Sequence, residues 1–176
     1  MRRLAAILAV DVVGYSRLMS EDEQRTYAHY RALHEEINKP VVDQHRGRVV
    51  KLTGDGFLAE FRSVIDAVEC AVALQQSWSD SERKLPQEQR LVFRAGINLG
   101  DVIVEDDDLY GDGVNLAVRL EGLAEPGGIC LSADAYRQVR NKIDARFEDL
   151  GERVVKNIAE PVHATVLIWG QHRCLG

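Results

Sequence analysis

The chain of 176 residues contains few cysteines and few prolines, three and four respectively. The cysteines are far apart, at positions 70, 130 and 174, which excludes the framework of a small disulfide-stapled domain. Aromatic residues make up only 6% of the chain, but 45% of its residues are hydrophobic, as in ordinary globular domains. We therefore predict one cytoplasmic domain over residues 1–170 and a disordered tail at 171–176.

The sequence also lacks an excess of positive charge, because 22 Lys and Arg residues face 28 Asp and Glu residues. This balance argues against a broad nucleic-acid-binding surface, although a local basic pocket could still bind a small anion. A long hydrophobic run is missing as well. The segment LAAILAV ends at Asp11, whereas a membrane span needs about 20 apolar residues, and no signal-peptide cleavage site follows it. We interpret this segment as a buried strand and expect no membrane insertion by it.

Hydrophobic spacing predicts alternating strands and helices in the first half of the chain. A buried strand over 4–13 comes first. A long amphipathic helix follows, which begins with a capping box at Ser20, bends near Pro40 and ends before Gly47. The strands RVVKLT and FLAEF then form a hairpin whose turn contains the glycines and the aspartate of residues 54–56.

The second half begins with a helix over Val64–Trp78 that is apolar nearly all round. Two strands, LVFRAGINLG and DVIVE, are predicted on either side of a break at Gly100, followed by an acidic turn and a helix from Val114 to Ala124. A strand, a helix and two more strand-like segments complete the chain. This order predicts an α+β fold with a ferredoxin-like βαββαβ core and appended C-terminal strands and a helix.

Two aspartates are candidates for a metal site at one edge of the predicted sheet. The right-handed crossover rule makes the first two strands parallel, so Asp11 and the hairpin residue Asp55 should converge. Each aspartate alone is compatible with a turn or a helix cap. Asp11, however, interrupts an apolar run, where an unpaired carboxylate is costly. The pair together favours the binding of hard divalent cations.

Four sequence blocks point to a known family: AVDVVGYSRLM, VVKLTGDGFLAEF, INLGDVIVEDDDLYGDGVNLAVRLEGLAEPGGICLS and LGERVVKNIAEPV. They resemble the successive signature blocks of class III nucleotidyl cyclase catalytic domains, most closely those of bacterial adenylate cyclases. The resemblance covers residues 3–169 and implies conversion of ATP to 3′,5′-cyclic AMP and pyrophosphate.

The resemblance also implies a metal site. Asp11 and Asp55 match the two metal-binding aspartates, which in the family hold two Mg²⁺ or Mn²⁺ ions together with the backbone carbonyl of Val12. In such a site one ion activates the ribose 3′-hydroxyl, and the other bridges the triphosphate and stabilises the leaving pyrophosphate.

The remaining matched positions concern the substrate. Lys51 and Asp108 match the pair that selects the base, and a cationic donor beside a carboxylate acceptor suits N1 and N6 of adenine. Asn115 and Arg119 match the transition-state residues and lie on one helix face, four positions apart. Arg119 alone could equally form a surface salt bridge. Lys156 resembles a triphosphate-binding lysine, although an exposed lysine is also an ordinary surface residue.

In this family each active site is shared, so the resemblance implies a homodimer in which one subunit supplies the metal site and its partner the other groups. Only ten residues separate Gly100 from Gly111, where many relatives have a longer arm that embraces the partner. Regulatory domains in a longer chain are also implied. Two alternatives stay open: an inactive nucleotide-binding or dimerisation module, and a guanylate cyclase, which Lys51 and Asp108 oppose.

Overall fold

The computed structural model describes residues 1–155, 158 and 160–170, so Lys156 and the predicted tail at 171–176 lie outside the described residues. The strands are β1 (Arg2–Val12), β2 (Gly47–Leu52), β3 (Gly56–Phe61), β4 (Phe93–Glu105), β5 (Asp108–Tyr110), β6 (Ile129–Ser132), β7 (Arg146–Arg153) and β8 (Val162–Ile168). The α-helices are α1 (Tyr15–Glu21), α2 (Glu23–Leu33), α3 (Lys39–Gln44), α4 (Val64–Glu82), α5 (Asp112–Leu123) and α6 (Ala133–Val139). Among these described elements, no helix is both long and apolar enough to cross a membrane.

The strands form one sheet in the order β2-β3-β1-β4-β6-β8-β7, with β5 paired to β4. Strand β3 is antiparallel to both β1 and β2, so β1 and β2 run in the same direction, as the crossover rule predicts. The order β2-β3-β1-β4 with its two crossovers is the ferredoxin-like core, and this prediction of the fold class is confirmed.

The two faces of the central strand β1 pack in two different hydrophobic cores. Its even-numbered residues from Ala6 to Val12 belong to the main core, together with residues of α4. Its odd-numbered residues Ala5, Ile7 and Ala9 pack in a smaller core beneath α5. Asp11 has the same parity, so it lies on the α5 face at the end of the strand.

Two glycines of β4 allow α5 to approach the sheet closely. A Cβ atom on Gly96 would lie 2.3 Å from the amide nitrogen of Glu121, and one on Gly100 would lie 3.2 Å from Gly113 Cα. The predicted strand break at Gly100 is therefore wrong, because β4 continues through it to Glu105. The glycine is needed for helix packing and not for a turn.

The predicted long helix after β1 is divided into shorter helices. Ser20 lies inside α1, and the cap of the next helix is Asp22, whose carboxylate accepts the Arg25 N–H. The predicted bend near Pro40 corresponds to a π-helical turn over His34–Asn38. This turn places Asn38 in the core, where its side-chain oxygen accepts the indole N–H of Trp78 at 2.7 Å.

Candidate active site

A cavity of about 540 Å³ lies between the end of β1, the β2–β3 turn and α5. Its lining includes Asp11, Asp55 and Arg119, so the predicted convergence of the two aspartates is present. The Val12 N–H donates to the backbone oxygen of Asp55 at 2.8 Å and joins the strand end to the turn. Gly56 permits this approach, because a Cβ atom there would lie 1.7 Å from the Val10 carbonyl oxygen.

An arginine side chain contacts one of these aspartates. Asp11 pairs in register with Arg94 of β4, whose Nε and Nη2 lie 3.3 and 3.2 Å from the two carboxylate oxygens. Arg94 Nη2 also lies 3.9 Å from Glu121 Oε2. Burial, followed by a hydrogen bond to Asp11 and the negative charge of Asp11, raises the pKa of Glu121 well above its ordinary value. This shift favours the neutral form of the Glu121 carboxyl beside Asp11.

In the part of the chain that the structure describes, no cationic side chain lies at hydrogen-bond distance from Asp55, although the charge of Arg94 acts on it. Burial, and next the charge of Asp11, raises the pKa of the Asp55 carboxyl above its ordinary value. No cluster of three or more His, Cys, Asp or Glu side chains suited to a metal occurs within the described part of the chain. Two carboxylates that repel one another at an open cavity nevertheless fit hard divalent cations, with backbone, water or substrate oxygens as the remaining ligands.

The predicted base-selecting residues meet at a second place on the surface. Lys51 Nζ lies 3.5 Å from Asp108 Oδ2, and the Leu109 N–H donates to Asp108 Oδ1 at 2.7 Å. The N–H of Leu109, and then Tyr110 and Lys51, hold the pKa of Asp108 below its ordinary value. The β4–β5 hairpin positions Asp108, because its turn residues Asp106 and Asp107 both adopt positive φ and reverse the chain. Asp108 is thus a charged acceptor beside a cationic donor.

The other two predicted residues lie on α5 but border different cavities. Arg119 lines the cavity of the two aspartates, and its Nε is buried without a hydrogen-bond partner among the described residues. Asn115 is exposed and lines a separate cavity of about 570 Å³ with Ser132 and His163. Lys51, Asp108 and Asn115 do not line the aspartate cavity. In the described part of one chain, the predicted site residues therefore lie in separate places.

Two residues of the cavity, Arg94 and Glu121, are absent from the sequence-based prediction. Arg94 could have been found by the argument applied to Asp11, since it is a charged residue inside an apolar strand. Glu121 carries no such signal, because alternating polar residues are ordinary on a helix. Lys156 lies outside the described residues, and Val155, which precedes it in the sequence, lines the aspartate cavity.

Known proteins resemble this chain in sequence. Residues 3–169 match the model of the adenylate and guanylate cyclase catalytic domain. A putative adenylate cyclase of Rhizobium meliloti is 53% identical over 162 residues; the match covers 92% of this chain and 28% of that relative. The chain therefore spans less than a third of that relative's length.

Solved structures share the fold. An adenylate/guanylate cyclase/hydrolase from Silicibacter pomeroyi is similar at a TM-score of 0.85 and 40% identity, over 96% of this chain and 98% of that one. An adenylyl cyclase from P. aeruginosa is similar at a TM-score of 0.78 and 23% identity, over 97% of this chain and 96% of that one.

Proposed function

The chain belongs to the family of adenylate and guanylate cyclase catalytic domains, and on this premise we propose that it converts ATP to 3′,5′-cyclic AMP and pyrophosphate. The observation that supports adenine over guanine is the contact of Lys51 with Asp108 at 3.5 Å. Adenine presents an acceptor at N1 and a donor at N6, which a cation and a carboxylate can pair. Guanine presents the opposite pattern at N1 and O6 and would leave both side chains mismatched.

In this proposal Asp11, Asp55 and the Val12 carbonyl hold two Mg²⁺ or Mn²⁺ ions. When bound, the ions supply Lewis-acid activation of the ribose 3′-hydroxyl and charge neutralisation on the phosphates. Burial of Asp55 and its repulsion by Asp11, which together raise the pKa of Asp55, support this assignment. The protein's task at this point is to hold both carboxylates against one cavity, which the Val12–Asp55 backbone hydrogen bond does.

Other side chains act on the substrate directly in this proposal. Arg119 lines the cavity, and its guanidinium can donate to a phosphate oxygen, where its charge stabilises the developing negative charge. Asn115 is exposed and orients the ribose. Lys156 binds the triphosphate, as its match to the family suggests.

The division of these residues supports a shared site in a homodimer. The base-reading residues and Asn115 do not line the cavity of Asp11 and Asp55 in one chain. In a two-fold dimer the metal half of one subunit would meet Lys51, Asp108 and Asn115 of the partner, and two equivalent sites would form. Arg119 lines the aspartate cavity of its own chain. The groups that the partner subunit supplies, called the partner half, are therefore Lys51, Asp108 and Asn115.

A direct test is an assay of the purified chain with ATP or GTP in the presence of Mn²⁺, over a range of protein concentrations. We expect cyclic AMP from ATP, a specific activity that rises with protein concentration, and little cyclic GMP. Preferential formation of cyclic GMP would contradict the assignment of the base, and product from neither nucleotide at any concentration would contradict catalysis.

A further inference from the structure

Tyr110 is a third residue beside the base-reading pair Lys51 and Asp108. The ring of Tyr110 lies beneath Lys51, with 5.5 Å between Nζ and the ring centroid. The Tyr110 hydroxyl also interacts with the Asp108 carboxylate, which raises the pKa of Tyr110 and lowers that of Asp108. Tyr110 therefore acts on both members of the pair, on the cation through its ring and on the carboxylate through its hydroxyl.

The local backbone makes this arrangement possible. Asp108 and Tyr110 are two positions apart on β5, so their side chains lie on the same face of the hairpin. Tyr110 pairs in register with Ile103 of β4, and this pairing fixes the position of Tyr110 along the hairpin. The Lys51 side chain comes from the edge strand β2 and is 44% exposed.

We propose that Tyr110 is a specificity-determining positioning residue: it holds Lys51 and Asp108 at the spacing that distinguishes adenine from guanine. This inference rests on the proposed base-reading function. A free lysine stem samples many rotamers, and its ammonium can then approach either base. Held over the Tyr110 ring and beside Asp108, the ammonium occupies one position, and a base with the wrong pattern leaves it unpaired.

Loss of the hydroxyl of Tyr110, or of both its hydroxyl and its ring, should reduce the preference for adenine over guanine to different extents. Tyr110→Phe keeps the ring and loses the hydroxyl, so the preference for adenine should fall about threefold. Tyr110→Leu loses both contacts and should reduce the preference about tenfold. Weaker dimerisation or a local packing defect would instead lower the affinity for both nucleotides equally and leave their ratio unchanged.

Nucleotide binding tests this without turnover. The probes are 3′-deoxy-ATP and 3′-deoxy-GTP, which lack the attacking hydroxyl, and the Kd of each is measured by calorimetry with Mn²⁺ at one fixed protein concentration. Circular dichroism confirms the fold of each variant. Lys51→Ala is the reference for complete loss of base reading.

Tyr27 provides a matched control. It is 50% exposed, against 46% for Tyr110, and its ring lies 5.8 Å from the Arg31 guanidinium carbon. Its hydroxyl accepts a hydrogen bond from Arg31 Nη1 at 3.1 Å. Tyr27→Phe and Tyr27→Leu therefore remove comparable contacts on α2, and neither should change the ratio of the two Kd values.

The outcomes separate the inference from the function on which it rests. A wild-type protein without preference for 3′-deoxy-ATP would overturn both. A wild-type preference that Tyr110→Leu retains would overturn the role of Tyr110 alone. A preference that Tyr110→Leu loses but Lys51→Ala retains would show that the ring contacts the base itself, which also overturns the positioning role.

Discussion

Asp11 and Arg94 are cross-strand neighbours whose side chains form a two-point ion pair, with Arg94 Nη2 3.2 Å and Nε 3.3 Å from the carboxylate oxygens. One of the two candidate metal ligands thus has a counter-ion in the protein itself. Arg94 Nη1 also lies 3.4 Å from the Gly122 carbonyl oxygen, which offers this arginine a second acceptor at the end of α5. Asp55, the second candidate ligand, lines the same cavity.

Replacing Asp55 with alanine should separate metal binding from folding. Burial and the charge of Asp11 raise the pKa of Asp55, so its loss should not lower the free energy of unfolding of metal-free protein. Thermal stabilisation by Mn²⁺ should disappear. Cyclisation should fall at least about a hundredfold, because loss of even an outer-shell partner of a metal ligand costs about 10–100-fold.

Asp43→Ala is the control for this experiment, since Asp43 is an exposed residue of α3. It should melt and respond to Mn²⁺ like the wild type. An Asp55→Ala protein that Mn²⁺ still stabilises to the wild-type extent would show that the metal assignment is wrong.

Exchanging the base-reading residues should change the preferred nucleotide. In the double variant Lys51→Glu with Asp108→Cys, adenine meets a carboxylate at N1 and has lost its acceptor at N6. Each mismatched buried group costs on the order of 1–3 kcal/mol, so kcat/KM for ATP should fall far more than affinity for the triphosphate group. The ratio of kcat/KM values for ATP and GTP is the measurement, and an unchanged ratio would refute base reading by this pair.

The close approach of α5 to the sheet can be tested with two glycines. Gly96→Ala places a methyl group 2.3 Å from the Glu121 amide nitrogen and 2.4 Å from the Ala117 carbonyl oxygen. Both obstacles are backbone, so the helix must shift, and the free energy of unfolding should fall by about 3 kcal/mol.

Gly122 of α5 is the control, because a Cβ atom there would meet no described atom within 4 Å. Gly122→Ala should raise the free energy of unfolding by about 0.5 kcal/mol through helix propensity. Urea unfolding measures both values, and equal stabilities for the two variants would contradict the described packing.

A pH-dependent contribution to stability should come from Glu60 on β3. Burial alone would raise its pKa, but hydrogen bonds from Arg48 and Arg3 outweigh this and hold it below its ordinary value of 4.5. A lowered carboxyl pKa stabilises the folded state above pH 4.5, and this contribution disappears as the pH falls through the folded-state pKa. Glu60→Gln should therefore cost about 1 kcal/mol at pH 7, since both arginines are partly exposed, and almost nothing at pH 3.

Urea unfolding of both proteins from pH 7 to pH 3 measures this difference. Glu36→Gln, which alters an exposed carboxylate, should match the wild type throughout. A Glu60→Gln deficit that stays constant down to pH 3 would indicate lost packing and not a lost ion pair.

The sequence predicts the core of this fold because each local signal agrees with the topology. The apolar run before Asp11, the hairpin around Asp55 and the crossover rule together place both aspartates at one cavity. Gly100 shows where such signals are ambiguous. A glycine in a strand pattern indicates either a turn or a close contact, and only the position of α5 decides between them.

The site is less predictable because its parts are far apart in the sequence. Lys51 and Asp108 come from different hairpins, and only the family resemblance pairs them before the fold is known. Asn115 and Arg119 share a helix face by spacing, yet Arg119 lines the aspartate cavity and Asn115 lines the cavity of Ser132 and His163. The contact of Arg94 with Asp11 depends on the register of β1 and β4, which hydrophobic alternation does not specify.

Subunit mixing tests the shared site most directly. Asp55→Ala lacks the metal half but keeps the partner half, whereas Asn115→Ala has the opposite defect, and each homodimer should be nearly inactive. Random pairing makes about half of the dimers mixed, each with one intact site of two, so about a quarter of the wild-type cyclic AMP formation should return. No recovery, in a mixture shown by mass spectrometry to contain the mixed dimer, would mean that each active site is built within a single chain.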